Sequence, residues 1–230
     1  MNVLVIDTET ANIVEQPLPY DVGYAIVDTE TGKILTEKSF VVAEIFFDKE
    51  LMASAYFADK IPQYFKEIKE GKRKVTGIFN VRRAVVDDMK RFNVHRVGAY
   101  NMNFDKRATN NDMRYISGSF WRWFFPYGTE FFCIWNMACT SILDTKEFVD
   151  FAVKHGFVSE CGNVKTSAEI AYRYLTGATD FEEDHTGLED VKIEIEIMLA
   201  VLRSGMTYKD NPYAGCWRIV QQKRKTVCEG

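Results

Sequence analysis

No apolar run in this sequence reaches the roughly 18 residues that a membrane-spanning helix needs, so we expect a protein without a membrane anchor. The amino terminus, residues 1–6, leads directly into Asp7 without a basic region or a cleavage site, which argues against a signal peptide. Both absences predict a cytoplasmic protein.

Cysteine and positive charge are also in short supply. The chain has five cysteines and no C-x-x-C pair, so we expect free thiols and neither a zinc ribbon nor a disulfide framework. Lys and Arg number 29 against 33 Asp and Glu, a net charge of −4. A protein that holds a polyanion through its overall field is usually basic, so nucleic acid would need local basic groups or bridging metal ions here.

Apolar material, by contrast, is sufficient for a continuous core, since hydrophobic residues make up 47% of the chain and Phe alone occurs 17 times. The 230 residues fit one globular domain with a moderate extension better than two domains. We expect the domain at residues 1–204 and a C-terminal extension, packed on or beside it, at residues 205–230.

Local patterns predict three strands first and helices between the later strands. Short apolar runs predict strands at 1–7, 21–28, 34–42, 96–100 and, with a helical turn as the alternative, 131–137. A turn glycine at 32 favours a hairpin between the second and third. Three- and four-residue spacing predicts helices at 49–91, broken at Gly71 and Gly77, and near 145–155, 166–175 and 187–203. This order predicts an α/β fold with a mixed five-stranded sheet, a three-strand antiparallel meander plus parallel strands, flanked by helices.

Carboxylates and one imidazole follow these elements in three patterns. Asp7 and Glu9 stand where the first strand ends, and side chains two apart on a strand share a face. Asp105 follows the strand at 96–100, near the start of a helix. His185 and Asp190 are five residues apart and would not share a face of one helix, so we place His185 in the loop and Asp190 in the early turns.

Each pattern has a structural alternative, because a strand-end acid is common and Asp105 would also suit a helix amino end. Together, however, four clustered acids would repel one another without cations. Carboxylates are hard oxygen ligands that suit Mg²⁺ or Mn²⁺ and not zinc. Two such ions about 4 Å apart can hold both oxygens of a phosphodiester displacement, and a histidine with an ordinary pKa near 6.5 can accept a proton from water.

These residues resemble the motifs of the DEDDh, or DnaQ-like, 3′–5′ exonucleases. The matches are Asp-Thr-Glu-Thr at 7–10, Asn-x-x-Phe-Asp at 101–105 and His-x-x-x-x-Asp at 185–190, in the family's order and across most of the chain. The resemblance implies a ribonuclease-H-like fold, two Mg²⁺ or Mn²⁺ ions, and release of nucleoside 5′-monophosphates from a free 3′ end of DNA or RNA. Proofreading would need a separate polymerase or repair protein as partner.

The same resemblance implies the site residues. The metal ligands would be Asp7, Glu9, Asp105 and Asp190; the catalytic residues would be His185, as general base, and Glu9; and the substrate contacts would be Thr8, Thr10, Asn101 and Phe104. The DEDDy subgroup has tyrosine where His185 stands. Two departures concern substrate fit: Thr10-Ala-Asn12 replaces a small or leucine-type residue of many relatives, and Ala108 replaces a frequent aromatic.

Other motifs receive a structural interpretation. For the aromatic segment at 120–125 we favour burial or a protein interface over base stacking. The basic groups at 72–74, 82–83, 106–107 and 223–225 are most simply solvated surface, with phosphate contact as the alternative. Asp144 is expected to cap a helix, and His95 and His155 are expected to be structural.

Two other functions fit the same residues. A catalytically inert nucleic-acid-binding or polymerase-associated module could share the fold, although such a descendant would be free to lose the acids. An endonuclease of the ribonuclease H kind would keep the carboxylates without needing this His-to-Asp spacing. Tight binding without turnover would indicate the first, and cleavage of a circular strand the second.

Overall fold

The computed structural model describes the backbone of residues 1–228 and the side chains of residues 1–222. Within that part the chain forms one sheet of six strands, in the order β4-β3-β2-β1-β5-β6. The strands are β1 Asn2–Ala11, β2 Leu18–Asp28, β3 Ile34–Val42, β4 Lys74–Thr76, β5 Arg96–Ala99 and β6 Glu130–Cys133. The predicted α/β fold with a mixed, helix-flanked sheet is confirmed.

Helices occupy most of the remaining chain. They are α1 Ala43–Phe46, α2 Lys49–Met52, α3 Ile61–Lys69, α4 Ile78–Arg91, α5 Met102–Ser117, α6 Ile134–Cys139, α7 Lys146–Lys154, α8 Ala168–Thr176, α9 Gly187–Arg203 and α10 Trp217–Cys228, with a short 3₁₀ helix at Ala58–Lys60. None in the described part is long and apolar enough to cross a membrane.

The first three strands form the predicted antiparallel meander. Asn2 to Glu9 of β1 pair with Asp28 to Asp21 of β2, and β2 pairs antiparallel with β3. The apolar, mostly β-branched start of β1 is buried, and all but the last residue of β2 is buried. These two strands therefore lie in the core, and β1 carries Asp7 and Glu9.

The sheet differs from the sequence prediction by one strand. The additional strand is β4, which pairs parallel with β3 and lies between the predicted helix breaks at Gly71 and Gly77. Three residues are too few to show the alternation that identifies a strand. The segment predicted as a strand or a helical turn at 131–137 contains both, since β6 leads directly into α6.

Two further predictions concern the start of α7 and the C-terminal stretch. Asp144 does not cap α7: the cap is Thr145, whose hydroxyl accepts a hydrogen bond from the amide of Phe148 at 3.2 Å. The prediction for Asp144 is wrong because a threonine one residue later reaches the same amide. The C-terminal extension predicted at residues 205–230 contains α10, and the basic group at 223–225 lies outside the described side chains.

The chain divides into two compact units. The first comprises Met1–Val97, Phe104–Glu130 and Asp184–Val191, and the second comprises the rest of the described chain. Asp7, Glu9, Asp105, His185 and Asp190 all belong to the first unit. These five candidate site residues therefore lie within one compact unit.

Candidate active site

The end of β1 presents two carboxylates next to a third from α9. Oxygens of Asp7, Glu9 and Asp190 all lie within 4.8 Å of one another, the one such group of metal-binding type in the described part of the chain. Glu9 and Asp190 are each 9% exposed. The pairing of β1 with β2 shifts between Glu9 and Thr10, and bulges of this kind re-aim side chains beside functional sites.

Two glycines bring Asp190 to the strand. Gly23 pairs with Asp7 in the sheet, and a Cβ on Gly23 would lie 2.2 Å from the carbonyl carbon of Gly187 and the nitrogen of Leu188. A Cβ on Gly187 would lie 2.8 Å from the nitrogen of Gly23. The backbone at the start of α9 thus rests on the backbone of the sheet. Because Asp190 is in the first turn of α9, this contact sets its distance from Asp7.

A buried aspartate fastens the same helix start. One oxygen of Asp21 accepts hydrogen bonds from the amide of Gly187 at 3.0 Å, the hydroxyl of Tyr64 at 2.7 Å and the guanidinium of Arg73 at 2.7 Å. Asp21 is fully buried and pairs with Glu9 in the register of β1 and β2. Asp21 therefore links the strand position opposite Glu9 to the start of α9. Asp21 belongs to none of the sequence motifs, and its one signal in the sequence is an acid within an otherwise apolar strand.

Asp105 reaches the strand from α5 but is not in the group of three carboxylates. Its Oδ1 accepts a hydrogen bond from the hydroxyl of Thr8 at 2.9 Å, and Asp105 is 3% exposed. Burial raises the pKa of Asp105, and the hydrogen bond from Thr8 acts in the opposite direction. The structure thus places Asp105 against Thr8, the residue between Asp7 and Glu9. The role of Asp105 as a metal ligand stays a prediction.

His185 lies just before α9, as the spacing predicts, and is held by an aromatic ring. Its backbone has φ +51°, a left-handed conformation that histidine adopts more readily than most side chains. The imidazole stacks on Phe57 with ring centres 4.1 Å apart and planes 11° from parallel. The amide of Asn12 donates to the hydroxyl of Ser54 at 2.8 Å, which ties the segment before Phe57 to the end of β1. No sequence motif had marked Phe57.

Comparison with known proteins finds solved structures that share the fold of this chain. No protein-family model and no curated protein matches the chain, but solved structures do. The nuclease domain of 3′hExo, a DEDDh family member bound to rAMP, matches with a TM-score of 0.55 and 16% identity over 91% of this chain and 96% of that one. The chain has the ribonuclease-H-like fold of the DEDDh exonucleases.

Two further structures of this fold are similar to the chain. A 3′-exonuclease that recognises the histone mRNA stem-loop matches with a TM-score of 0.53 and 16% identity, over 91% of this chain and 85% of that one. The zinc-bound E. coli ExoI–ssDNA complex matches with a TM-score of 0.54 and 16% identity, over 89% of this chain and 41% of that one. At this level of identity the comparisons show a shared fold alone, and the chemistry has to be argued from the residues of the site.

The donor set of this site fits a divalent cation. Asp7, Glu9 and Asp190 offer only carboxylate oxygens, which are the ligands that hard cations prefer. Three carboxylates this close repel one another unless a cation or protons compensate them. Of these residues, Asp7 and Glu9 come from a strand and Asp190 from a helix, so their convergence depends on tertiary structure.

The four predicted substrate contacts have different surroundings. Thr8 uses its hydroxyl on Asp105, and Thr10 is half-exposed near the end of β1. Phe104 is half-exposed with the guanidinium carbon of Arg107 at 5.6 Å from its ring centre. Asn101 belongs to the second unit, where it lines a cavity of about 540 Å³. Substrate contact by these four residues stays a prediction.

Proposed function

We propose that the protein is a divalent-metal-dependent 3′–5′ exonuclease that releases nucleoside 5′-monophosphates from DNA or RNA. The observation that carries this proposal is the convergence of Asp7, Glu9 and Asp190 within 4.8 Å. The shared DEDDh fold supports it, as does the rAMP bound to the nuclease domain of 3′hExo. The ssDNA in the ExoI complex supports a nucleic-acid substrate.

Each protein group has a distinct part in the proposed reaction. Asp7, Glu9 and Asp190 would hold the cations, with Asp105 completing the set. When bound, two Mg²⁺ or Mn²⁺ ions supply positive charge to the attacking and departing oxygens of the phosphodiester. His185 accepts a proton from the attacking water, because a neutral imidazole is available at neutral pH. Stacking on Phe57 orients that imidazole.

Digestion of a 5′-labelled oligonucleotide with Mg²⁺ or Mn²⁺ tests the proposal. We expect a ladder of labelled products that shorten from the 3′ end, and its loss with EDTA or in Asp7→Ala. The matched control is Asp150→Ala, which removes an exposed acid of α7 and should keep the ladder. Folded protein that gives no ladder with either metal would contradict the proposal.

Two measurements separate the remaining functions. Cleavage of a circular strand would show endonuclease activity, and binding without cleavage under any metal would show an inert module. His185→Ala should still be stabilised by metal while turnover falls by about 10²–10⁴-fold, the usual contribution of a general base. Rates on matched DNA and RNA oligomers then give the substrate preference.

A further inference from the structure

A loop between α5 and β6, residues 118–129, exposes aromatic rings that the core does not use. Phe124 and Phe125 are buried, at 0% and 6% exposure, but Trp121, Trp123 and Tyr127 are 87%, 53% and 107% exposed. Of the burial or protein interface predicted at 120–125, burial is confirmed for the last two residues, and an interface at the others stays a prediction. Clustered exposed rings of this size mark binding surfaces more often than ordinary protein surface.

Hydrogen bonds fix the backbone of this loop at two points. The amide of Phe124 donates to the side-chain carbonyl of Asn110 at 2.9 Å, and the hydroxyl of Thr129 donates to the carbonyl of Pro126 at 2.9 Å. Gly118 and Gly128, near the two ends, have φ values of +63° and +83°. A rigid surface loses less conformational entropy on binding.

Together with α4 the loop forms a cleft of about 580 Å³, which we call the aromatic–basic cleft. Among the described residues, four cationic side chains line it against one acidic side chain: Arg82, Arg83, Lys90 and Arg122, with Asp87. The chain as a whole carries a charge of −4, so the cleft has locally the opposite sign. This is the kind of local basic surface that an acidic protein needs to bind a polyanion.

A second cavity is lined by residues that lie near this cleft and near the end of β1. The guanidinium carbon of Arg114 lies 4.5 Å from the ring centre of Trp123, and Arg114 also lines a cavity of about 430 Å³ with Asn12 and Phe120. Asn12 follows Glu9 by three residues. Along α5, the nine residues from Asp105 to Arg114 span about 14 Å. The cleft is thus within reach of a strand whose end lies at the carboxylates.

We propose that the aromatic–basic cleft binds single-stranded nucleic acid behind the 3′ end held in the candidate active site. Bases would stack on Trp121 and Tyr127, and phosphates would pair with Arg83 and Arg122. A duplex keeps its base faces within its own stack, so exposed rings favour a single strand. The excess of cations favours a polyanion over a protein of mixed surface charge. The part that concerns the 3′ end rests on the proposed function.

Fluorescence anisotropy in EDTA tests this proposal without hydrolysis. The probes are a labelled single strand of about 15 nucleotides, a length near the upper site sizes of single-strand binders, and a labelled dinucleotide. We expect Trp121→Ala to weaken binding of the long strand by roughly 5- to 150-fold, the loss of one stacked base. Binding of the dinucleotide should not change.

Salt dependence tests the cationic half of the cleft. Arg83→Ala and Arg122→Ala should each reduce the slope of log affinity against log salt by about 0.7, the value for one phosphate contact of a single strand. The matched control is the double variant Phe65→Ala/Lys66→Ala, which removes an exposed ring and an exposed cation from α3. It should bind the long strand as the unaltered protein does.

Equal binding of the long strand by all variants would overturn the proposal. If Trp121→Ala instead abolished self-association seen by sedimentation, the cleft would be an interface between copies of the chain. Both results are independent of catalysis. A protein that binds through the cleft but shows no metal-dependent ladder would refute the proposed function and leave this inference standing.

Discussion

Replacing Gly23 with alanine should separate the carboxylates without removing any of them. The new Cβ would lie 2.2 Å from two backbone atoms of α9, about 1 Å short of the 3.4 Å at which ordinary contact begins. Backbone atoms cannot rotate away as a flexible side chain can, so the start of α9 must retreat. Asp190 moves with it, away from Asp7 and Glu9.

The magnitude follows from this displacement. Overpacking of a well-packed site costs about 1–3 kcal/mol, so Gly23→Ala should still fold at room temperature. A misplacement of about 1 Å can cost on the order of 100-fold in rate. We therefore expect a turnover loss near 100-fold and a reduced rise in melting temperature on addition of Mn²⁺, because weaker metal binding gives less stabilisation.

The matched control is Gly77→Ala. A Cβ on Gly77 would lie 2.3 Å from a carboxylate oxygen of Glu44, at the end of a side chain that can turn aside. This variant should keep its turnover and its stabilisation by metal. If folded Gly23→Ala matched the unaltered protein in both measurements, the close approach of Gly23 to α9 would not be what places Asp190.

Three further variants test single contacts. Asp112 is fully buried, and burial raises its pKa from 3.8 to about 8, so the folded state holds a proton that the unfolded state releases. The stability that this group contributes therefore falls as pH rises between these two values. In urea titrations at pH 5 to 7, Asp112→Asn should remove about 1.4 kcal/mol per pH unit of that decline, and an unchanged slope would contradict the assignment. Phe57→Ala should lower kcat by roughly 10- to 100-fold, because His185 loses the ring that orients it, while stabilisation by metal stays intact. Phe57→Tyr should restore most of the rate. Full activity of Phe57→Ala would refute an orienting role. Asp21→Ala leaves Arg73 buried with Glu67 as its remaining charged partner and the hydroxyl of Ser39 as a neutral one, and should cost about 3 kcal/mol of unfolding free energy, at the low end for a broken buried pair. A loss below about 1 kcal/mol would show that the pair is not structural.

The strands and the motif order could be predicted because they depend on short-range pattern. The apolar run of β1, the hairpin of β2 and β3 and the start of α9 after His185 are each encoded within about ten residues. Strand β4 could not be predicted, since three residues carry no period and the strand exists only by pairing with β3. The N-cap of α7 lies one residue after its predicted place. Asp144 and Thr145 both favour N-cap positions, so the local sequence does not decide between them.

By itself, the sequence determined which chemistry is available: a run of carboxylates and one imidazole, each next to the element that carries it. Tertiary structure alone decided which of them meet. Gly23 and Gly187 bring Asp190 to Asp7 because neither has a side chain in the way, and Thr8 holds Asp105 one residue aside. The same holds for the aromatic segment at 120–125, where neighbouring rings differ in exposure although every residue but Arg122 is aromatic. Such contacts join residues far apart in the chain, and local periodicity carries no record of them.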